Sequence, residues 1–362
     1  MRVSILTFHR AINYGAVLQA YALQTAVQEL GADVEIIDYR CNKIEDTYKF
    51  SEKMKASKSL KYTVYLLLKK LYPNLKKNRS VNSFVKKYLN LSREYNSENI
   101  EDSVDTYDLF LTGSDQVWNW HHTDFDKVFF LDFVKDSRKK YSFAASFGFE
   151  NLSDKQEEYT ELLKSFSCIS VREKSGEQIV ASILGEDKSV FTTVDPSFLL
   201  NEEEWSVVME QQMESLGDYV LLYELMPSET LKQFALKISK ENNYKVVCIT
   251  NTIMKTSGIT YLYGVSPERF LALISKAKCV CTNSFHGTAF SINFNTPFCV
   301  ELLKGGMALL NTRLENLLTE CEAQERIISD HIDPFSMQWD TINENRNRMV
   351  ADAFDYLRRI IQ

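Results

Sequence analysis

Cys279 to Val300 reads CVCTNSFHGTAFSINFNTPFCV, and its pattern sets the class of the fold. Cys279, Val280, Cys281 and Thr282 form a short, apolar, partly β-branched run, the composition of a central parallel strand buried on both faces. A helical pattern closes before it at Lys278. Asn283 and Ser284 then supply capping side chains, so a helix is expected from near Phe285 or His286, followed by another strand over Pro297–Leu302. Strand, tight polar turn and helix in that order put backbone N–H groups and a histidine at the carboxyl end of a strand, where open α/β sheets receive anions. Asn283, Ser284, His286, Gly287 and Thr288 place four polar side chains and one glycine within six positions between apolar segments. A histidine there either caps and packs or meets a ligand, and the polar cluster favours the ligand.

The chain in order repeats this grammar twice. Arg2–Phe8 reads as a strand, Gly15–Leu30 as a helix closed by Gly31, and Asp33–Tyr39 as a second strand, a βαβ opening of a parallel sheet. The loop FHRAINYG between them carries His9, Arg10, Asn13 and Tyr14, and its glycine spacing is not the dinucleotide fingerprint. Tyr107–Thr112 resumes the strands and runs into Gly113, Ser114, Asp115 and Gln116, where Asp115 reads as a helix cap or a general acid or base. Lys140–Gly148, Cys168–Val171 and Ser189–Val194 follow as strands. Arg172, at the end of a buried strand, must meet Glu173, another carboxylate or an anionic ligand, because an unpaired buried charge is expensive. Asn201 and Glu204 form a capping-box start. In the second half Tyr219–Leu225 and Tyr244–Thr250 are strands, Ser228–Asn242 is a helix, and Ser266 with Pro267 starts another.

These patterns predict an α/β protein of two Rossmann-like domains with mainly parallel sheets and a cleft between them. Residues 1–212 are expected to form the first, with a basic helical insertion near 41–105, and 213–335 the second. The long helix at 336–362 is expected to pack back on the first domain.

A chain of 362 residues with 44% hydrophobic content suits two domains. No apolar run approaches the ~20 residues that span a bilayer, and the start lacks the long apolar region of a signal peptide, so a cytoplasmic location is expected. Seven cysteines without a C-x-x-C pair, and five scattered histidines, argue against a disulfide framework or a metal site. The net charge of −7 argues against a nucleic-acid partner. Between Lys49 and Lys87, however, twelve Lys or Arg stand against Glu52 alone. With Tyr62, Tyr65, Leu66, Leu68, Leu71 and Tyr72 among them, this segment reads as a basic amphipathic helix that touches the inner membrane face peripherally, or else as a solvated insertion or the wall of a pocket for a phosphorylated acceptor.

NYGAVLQAYALQ (Asn13–Gln24), GSDQVWN (Gly113–Asn119), SFAASFG (Ser142–Gly148), SVREKSG (Ser170–Gly176), DPSFLL (Asp195–Leu200) and NSFHGTAFS (Asn283–Ser291) together resemble the polysaccharide pyruvyl transferase family, in the family's order and over most of the chain. The resemblance implies a GT-B-like fold and transfer of pyruvate from phosphoenolpyruvate (PEP) to two hydroxyls of a sugar, giving a ketal in capsule, exopolysaccharide or cell-wall assembly. PEP is then a donor substrate, and no cofactor or metal is expected. His286 matches the family's histidine near the donor phosphate and Arg172 an arginine of the donor site, with Asn283, Ser284, Gly287 and Thr288 around them. Where better-known members have Arg-Leu-His, this chain has Ser284, Phe285, His286. Either Arg10, Lys278 or Lys304 replaces the missing arginine, or the donor differs.

Under this reading Asp115 is the first candidate base and His9 the second, while Glu173 is the acid or the holder of Arg172. Asn13, Tyr14, Gln116 and Arg10 are the expected acceptor-binding residues. The acceptor is a sugar or oligosaccharide, lipid-linked or nucleotide-linked. Two other functions fit the same residues: a GT-B glycosyltransferase using a nucleotide-sugar donor, and a non-catalytic sugar-binding member of a biosynthetic complex.

Overall fold

The computed structural model describes residues 1–49, 59–152, 155–185, 188–212, 216–305 and 311–362. Lys53, Lys55 and Lys58 of the basic segment, and the expected domain boundary at Met213, lie outside them. The chain divides into two compact units, one of Met1–Tyr48, Val85–Leu199 and Asn347–Gln362, the other of Lys49–Phe84 and Leu200–Arg346.

The first unit holds five strands, β1 (Arg2–Leu6), β2 (Asp33–Tyr39), β3 (Leu91–Tyr95), β4 (Leu109–Thr112) and β5 (Lys140–Ser142), in the order β3-β2-β1-β4-β5. All pairs are parallel. β1 and β4 are the central strands, and their apolar side chains are almost wholly buried, which suits near-continuous apolar runs covered on both faces. Parallel bridges at Tyr141–Cys168 and Ala145–Val171 continue the sheet towards β6 (Ile169–Val171) and its partner β7 (Val190–Thr192).

The strand expected over Lys140–Gly148 stops at Ser142. Ala144 takes a positive φ of 46°, which breaks the extended run, and the segment is held instead by hydrogen bonds from Ala144 N to Ser170 Oγ (3.0 Å) and from Ala145 N to Ser170 O (3.1 Å). This detour brings Phe143 O against Gly113, whose φ is 114° and where a Cβ would lie 2.2 Å from that oxygen. Only glycine fits there.

The second unit repeats the topology with β8 (Tyr219–Tyr223), β9 (Lys245–Thr250), β10 (Ile259–Tyr263), β11 (Cys279–Thr282) and β12 (Phe298–Val300), ordered β10-β9-β8-β11-β12 and again parallel throughout. Each sheet thus reverses direction beside its first strand, between β1 and β4 and between β8 and β11. Ligands of open α/β sheets bind at such points, outside the carboxyl ends of the strands. Local chemistry starts the helices where the sequence predicts: Ser228, Ser266 and Ser284 each accept a first-turn N–H, and Asn201 and Glu204 close a full capping box.

The basic segment resolves into a helical arm, Leu60–Tyr65, a π-helical turn Leu66–Lys70, and Leu71–Tyr88. The sequence places it wholly in the first domain, whereas residues 49–84 belong with the second unit. Two hydrogen bonds tie it there, from Ile253 N to Lys69 O (2.8 Å) and from Ser80 Oγ to Gly264 O (3.2 Å). The helix Trp339–Ile361 contributes its residues from Asn347 onward to the first unit, where Tyr356 Oη donates to Ser142 O at 2.8 Å. All seven cysteines are free, and all but Cys168 are buried. Among the described residues no helix is long and apolar enough to cross a membrane.

Candidate functional site

In the second unit the switch point is built around the turn after β11. Thr282 Oγ1 donates to Tyr223 O (2.6 Å) and accepts from Ser284 N (3.1 Å). Asn283 binds the neighbouring loop after β8, its Oδ1 accepting from Leu225 N (2.7 Å) and its Nδ2 donating to Met226 O (2.7 Å). Ser284 caps the helix Phe285–Asn293. Thr288 donates back to Ser284 O at 3.2 Å. At Gly287 a Cβ would lie 2.5 Å from Thr282 Oγ1 and 3.1 Å from the Tyr223 ring, so glycine lets the helix start sit directly on β8 and β11. Asn283, Ser284, Gly287 and Thr288 therefore shape the turn, and His286, 8% exposed, rides on its first helical turn with its ring edge-on to Phe285 at 5.1 Å.

Three charged groups that the sequence reading missed stand near this turn. The Arg313 guanidinium lies 5.9 Å from the Phe285 ring centre. Glu224 and Glu301 directly follow β8 and β12, the two strands flanking β11. Burial pushes the Glu224 carboxyl up from its ordinary range; the Ser228 N–H and Lys232 pull the other way without cancelling it, and Glu301 adds a further upward push. Glu301 Oε2 is buried with no hydrogen-bond partner among the described residues. Of the cations expected to replace the missing arginine, Lys278 sits at the amino end of β11, 3.3 Å from Asp218. Parallel strands put that end opposite to His286. Lys304 is exposed beyond β12.

In the first unit Asp115 follows β4 with a φ of 69°, a conformation Asp tolerates better than most residues. It caps no helix. Its Oδ1 accepts from Gln116 N at 2.9 Å, and the cap of the next helix is Asn119. The guanidinium expected to face a donor phosphate faces three carboxylates instead. Arg172 Nε donates to Glu173 Oε1 (3.0 Å) and Nη1 to Asp195 Oδ2 (2.7 Å), and Nη2 lies 3.6 Å from Asp115 Oδ1. Asp115, Arg172 and Asp195 follow β4, β6 and β7, so the strand order assembles the cluster. Three acids around one buried arginine leave little attraction for a phosphate, and they give Arg172 the task of holding Asp115 in place.

His9 is 2% exposed, and both its ring nitrogens face acceptors, Nδ1 the Thr7 carbonyl at 3.2 Å and Nε2 Asp38 Oδ1 at 2.8 Å. Both nitrogens are thus engaged within the protein, and the ring is held between Thr7 and Asp38. Arg10 donates twice to Asp38, at 2.7 and 2.8 Å, and once to Glu94 at 3.3 Å. Burial alone would raise the Asp38 carboxyl, yet the bonds from His9 and Arg10 hold it at about 2, below its ordinary 3.8. A carboxyl depressed on folding gives stability that is full above its unfolded value and lost as pH falls through the folded one. Asp38→Asn is therefore expected to cost about 1–2 kcal/mol at pH 7, discounted for partial solvent exposure, and only a small part of that near pH 2, as urea midpoints at the two pH values would read.

Of the expected acceptor residues, Asn13 caps the helix Tyr14–Glu29 through Gly15 N (2.9 Å), Tyr14 is core at 1% exposure, and Gln116 Oε1 accepts from Asn119 Nδ2 at 2.7 Å. Tyr48, which the sequence reading did not single out, hydrogen-bonds Asn13 and feels the Asp115 charge; burial pushes its hydroxyl up to about 12. It stays a proton donor beside Asp115. Among the described residues no group of three or more His, Cys, Asp or Glu is placed to hold a metal.

The family model of polysaccharide pyruvyl transferases matches residues 13–300, which takes in Asp115, the Arg172 cluster and the His286 turn. The chain belongs to the polysaccharide pyruvyl transferase family. No curated protein matches this pyruvyl transferase family member significantly. Among solved structures it is similar to a putative UDP-N-acetylglucosamine 2-epimerase from Listeria monocytogenes, at 10% identity and a TM-score of 0.54, over 97% of this chain and 90% of that one. It also aligns with the UDP-GlcNAc 2-epimerase of Neisseria meningitidis bound to UDP-GlcNAc (9% identity, TM-score 0.47, 100% and 94% covered). A third match is the E. coli ADP-heptose LPS heptosyltransferase II (10%, 0.38, 97% and 99%). At 10% identity the first of these shows a likeness of fold alone. The first of these, with the twin Rossmann sheets, makes the architecture GT-B-like.

Proposed function

We propose that the protein transfers a pyruvyl group from PEP to two hydroxyls of a sugar, forming a cyclic ketal on a bacterial surface polysaccharide or its precursor. One observation carries the reading: within the family match, His286 sits on the first turn of a helix at the switch point of the second sheet, where N–H groups and the helix dipole favour a phosphate. Arg313, beside Phe285, is the cation assigned to the place of the missing arginine.

The reaction needs an acid, a base and a cradle for the departing phosphate. An acid protonates the PEP methylene, and the first sugar hydroxyl adds to the resulting oxocarbenium carbon while a base takes the hydroxyl proton. Phosphate then leaves as its bond to that carbon breaks. The second hydroxyl closes the ring and gives up its proton, so PEP and a diol become a ketal and inorganic phosphate. Glu224, whose carboxyl keeps its proton to higher pH than an exposed one, is assigned the methylene proton. His286, the turn N–H groups and Arg313 are assigned the departing phosphate. Within the first unit Asp115, steadied by Arg172 and with Tyr48 beside it, is the candidate base for a sugar hydroxyl, and Glu173 holds Arg172 rather than acting on substrate.

The test is PEP titration by calorimetry, followed by phosphate release and product mass with a panel of sugar acceptors. Asp115→Asn is expected to bind PEP like wild type and to release phosphate about 10²–10⁴-fold more slowly. Unchanged turnover would remove it as the base. A product carrying a hexose from a nucleotide sugar instead of a pyruvyl ketal would move the protein to the glycosyltransferases. Binding of sugars without any product would make it a non-catalytic sugar-binding protein.

A further inference from the structure

The arm between Ser59 and Tyr88 carries eight basic residues, Lys61, Lys69, Lys70, Lys76, Lys77, Arg79, Lys86 and Lys87, and no acidic one. Seven of the twelve exposed large hydrophobic side chains among the described residues fall within its fourteen positions 62–75. Tyr62, Tyr65, Leu68, Tyr72 and Leu75 recur every three or four residues and are 40–68% exposed, with Val64 and Leu67 beside them. That spacing is the stripe of an amphipathic helix turned outward. The inward side is occupied: Leu66 and Val81 are 1% exposed, and the Lys69 carbonyl and Ser80 hydroxyl anchor the arm on the second unit. Apolar patches of this kind on a protein surface mark a partner.

Charge selects the partner. A second copy of the same stripe would bring eight cations against eight, with no acid in either arm to pair them. A nucleic acid would meet the cations but leave projecting Leu68 and Leu75 in water. An anionic lipid surface satisfies both, because tyrosines and aliphatic side chains enter the headgroup boundary while lysines beside them stay at the phosphates. Tyr62 and Tyr65 stack at 6.0 Å, and Lys70 Nζ lies 6.0 Å from the Tyr65 ring centre, so ring and ammonium already stand together as such a boundary requires. We propose that residues 59–79 dock in the plane of an anionic bilayer surface and hold the protein there peripherally. The inference does not depend on the identity of the donor.

The test is co-sedimentation of the full chain, without PEP, with vesicles of pure phosphatidylcholine and of equal parts phosphatidylcholine and phosphatidylglycerol. Wild type is expected to sediment with the anionic vesicles and to be released by salt. Leu68→Ser with Tyr72→Ser, and separately Lys61→Gln, Lys69→Gln and Lys70→Gln together, are each expected to weaken partitioning at least about tenfold. Apart from the half-buried Lys70 both sets lie on exposed side chains, and an unchanged thermal melt checks that the fold is intact. Three outcomes overturn the proposal: no sedimentation with either vesicle, equal sedimentation with both, or a dimer in solution that Leu68→Ser with Tyr72→Ser converts to monomer without any vesicle binding. PEP binding, measured apart, keeps the donor reading separate from this one.

Discussion

Arg172→Met is expected to remove about 3–5 kcal/mol of stability, the cost of leaving buried charges without their partner. Glu173 and Asp195 are 4% and 1% exposed, and the Asp115 side chain is 14% exposed, so water cannot replace the guanidinium. With it gone, three carboxylates repel one another at the ends of β4, β6 and β7, and the switch point of the first sheet opens with them. Arg172→Lys should recover only part of the loss, because one ammonium cannot reproduce a planar fork that reaches Glu173, Asp195 and Asp115 in different directions. Urea midpoints of wild type, Arg172→Met and Arg172→Lys at pH 7 measure both the loss and the partial recovery. A variant as stable as wild type would mean that the cluster does not hold the sheet end together.

The same cluster shows what a sequence can and cannot disclose. Strand β11 and its turn are legible because their determinants are neighbours: an apolar run, a Ser cap three positions before Gly287, a histidine on the next turn. The caps at Ser228, Ser266 and Asn201 are legible for the same reason. Arg172 next to Glu173 could be read as a pair, but Asp115 and Asp195 reach it only through the order β4-β5-β6-β7, which no local pattern encodes. Glu224 and Glu301 are hidden in the same way, each a single acid after an apolar strand until β8, β11 and β12 are laid side by side. β3 and β10 leave no such signal in the sequence because both are edge strands. LSREY and ITYLY need bury only part of their side chains, and neither carries the unbroken aliphatic run that signals a central strand. The basic arm was legible as an amphipathic helix but not as part of the second unit, since its anchors are a carbonyl and a hydroxyl that lie far in sequence from Ile253 and Gly264.

His286→Ala is expected to lower turnover by about 10²–10³-fold and to weaken PEP binding, the loss typical of removing one preorganised donor from developing negative charge. The size follows from where the residue sits. In the proposed reaction, phosphate departure from the tetrahedral adduct develops charge on oxygen, and the groups that meet it must already be in place. The turn is fixed by Asn283 to Leu225 and Met226, by Thr282 to Tyr223, and by the close seat of Gly287 on β8 and β11, so the imidazole is held without reorganising. Helix N–H groups and Arg313 remain in the variant, and binding should therefore fall less than turnover. His286→Gln, which keeps a side-chain N–H near the same place, should recover part of the rate, whereas a merely packing histidine would be rescued better by an apolar ring such as His286→Phe. Phosphate release with saturating acceptor, read beside calorimetry with PEP, measures both quantities. Equal turnover in wild type and His286→Ala would place the donor phosphate elsewhere and leave this turn as a structural joint of the second sheet.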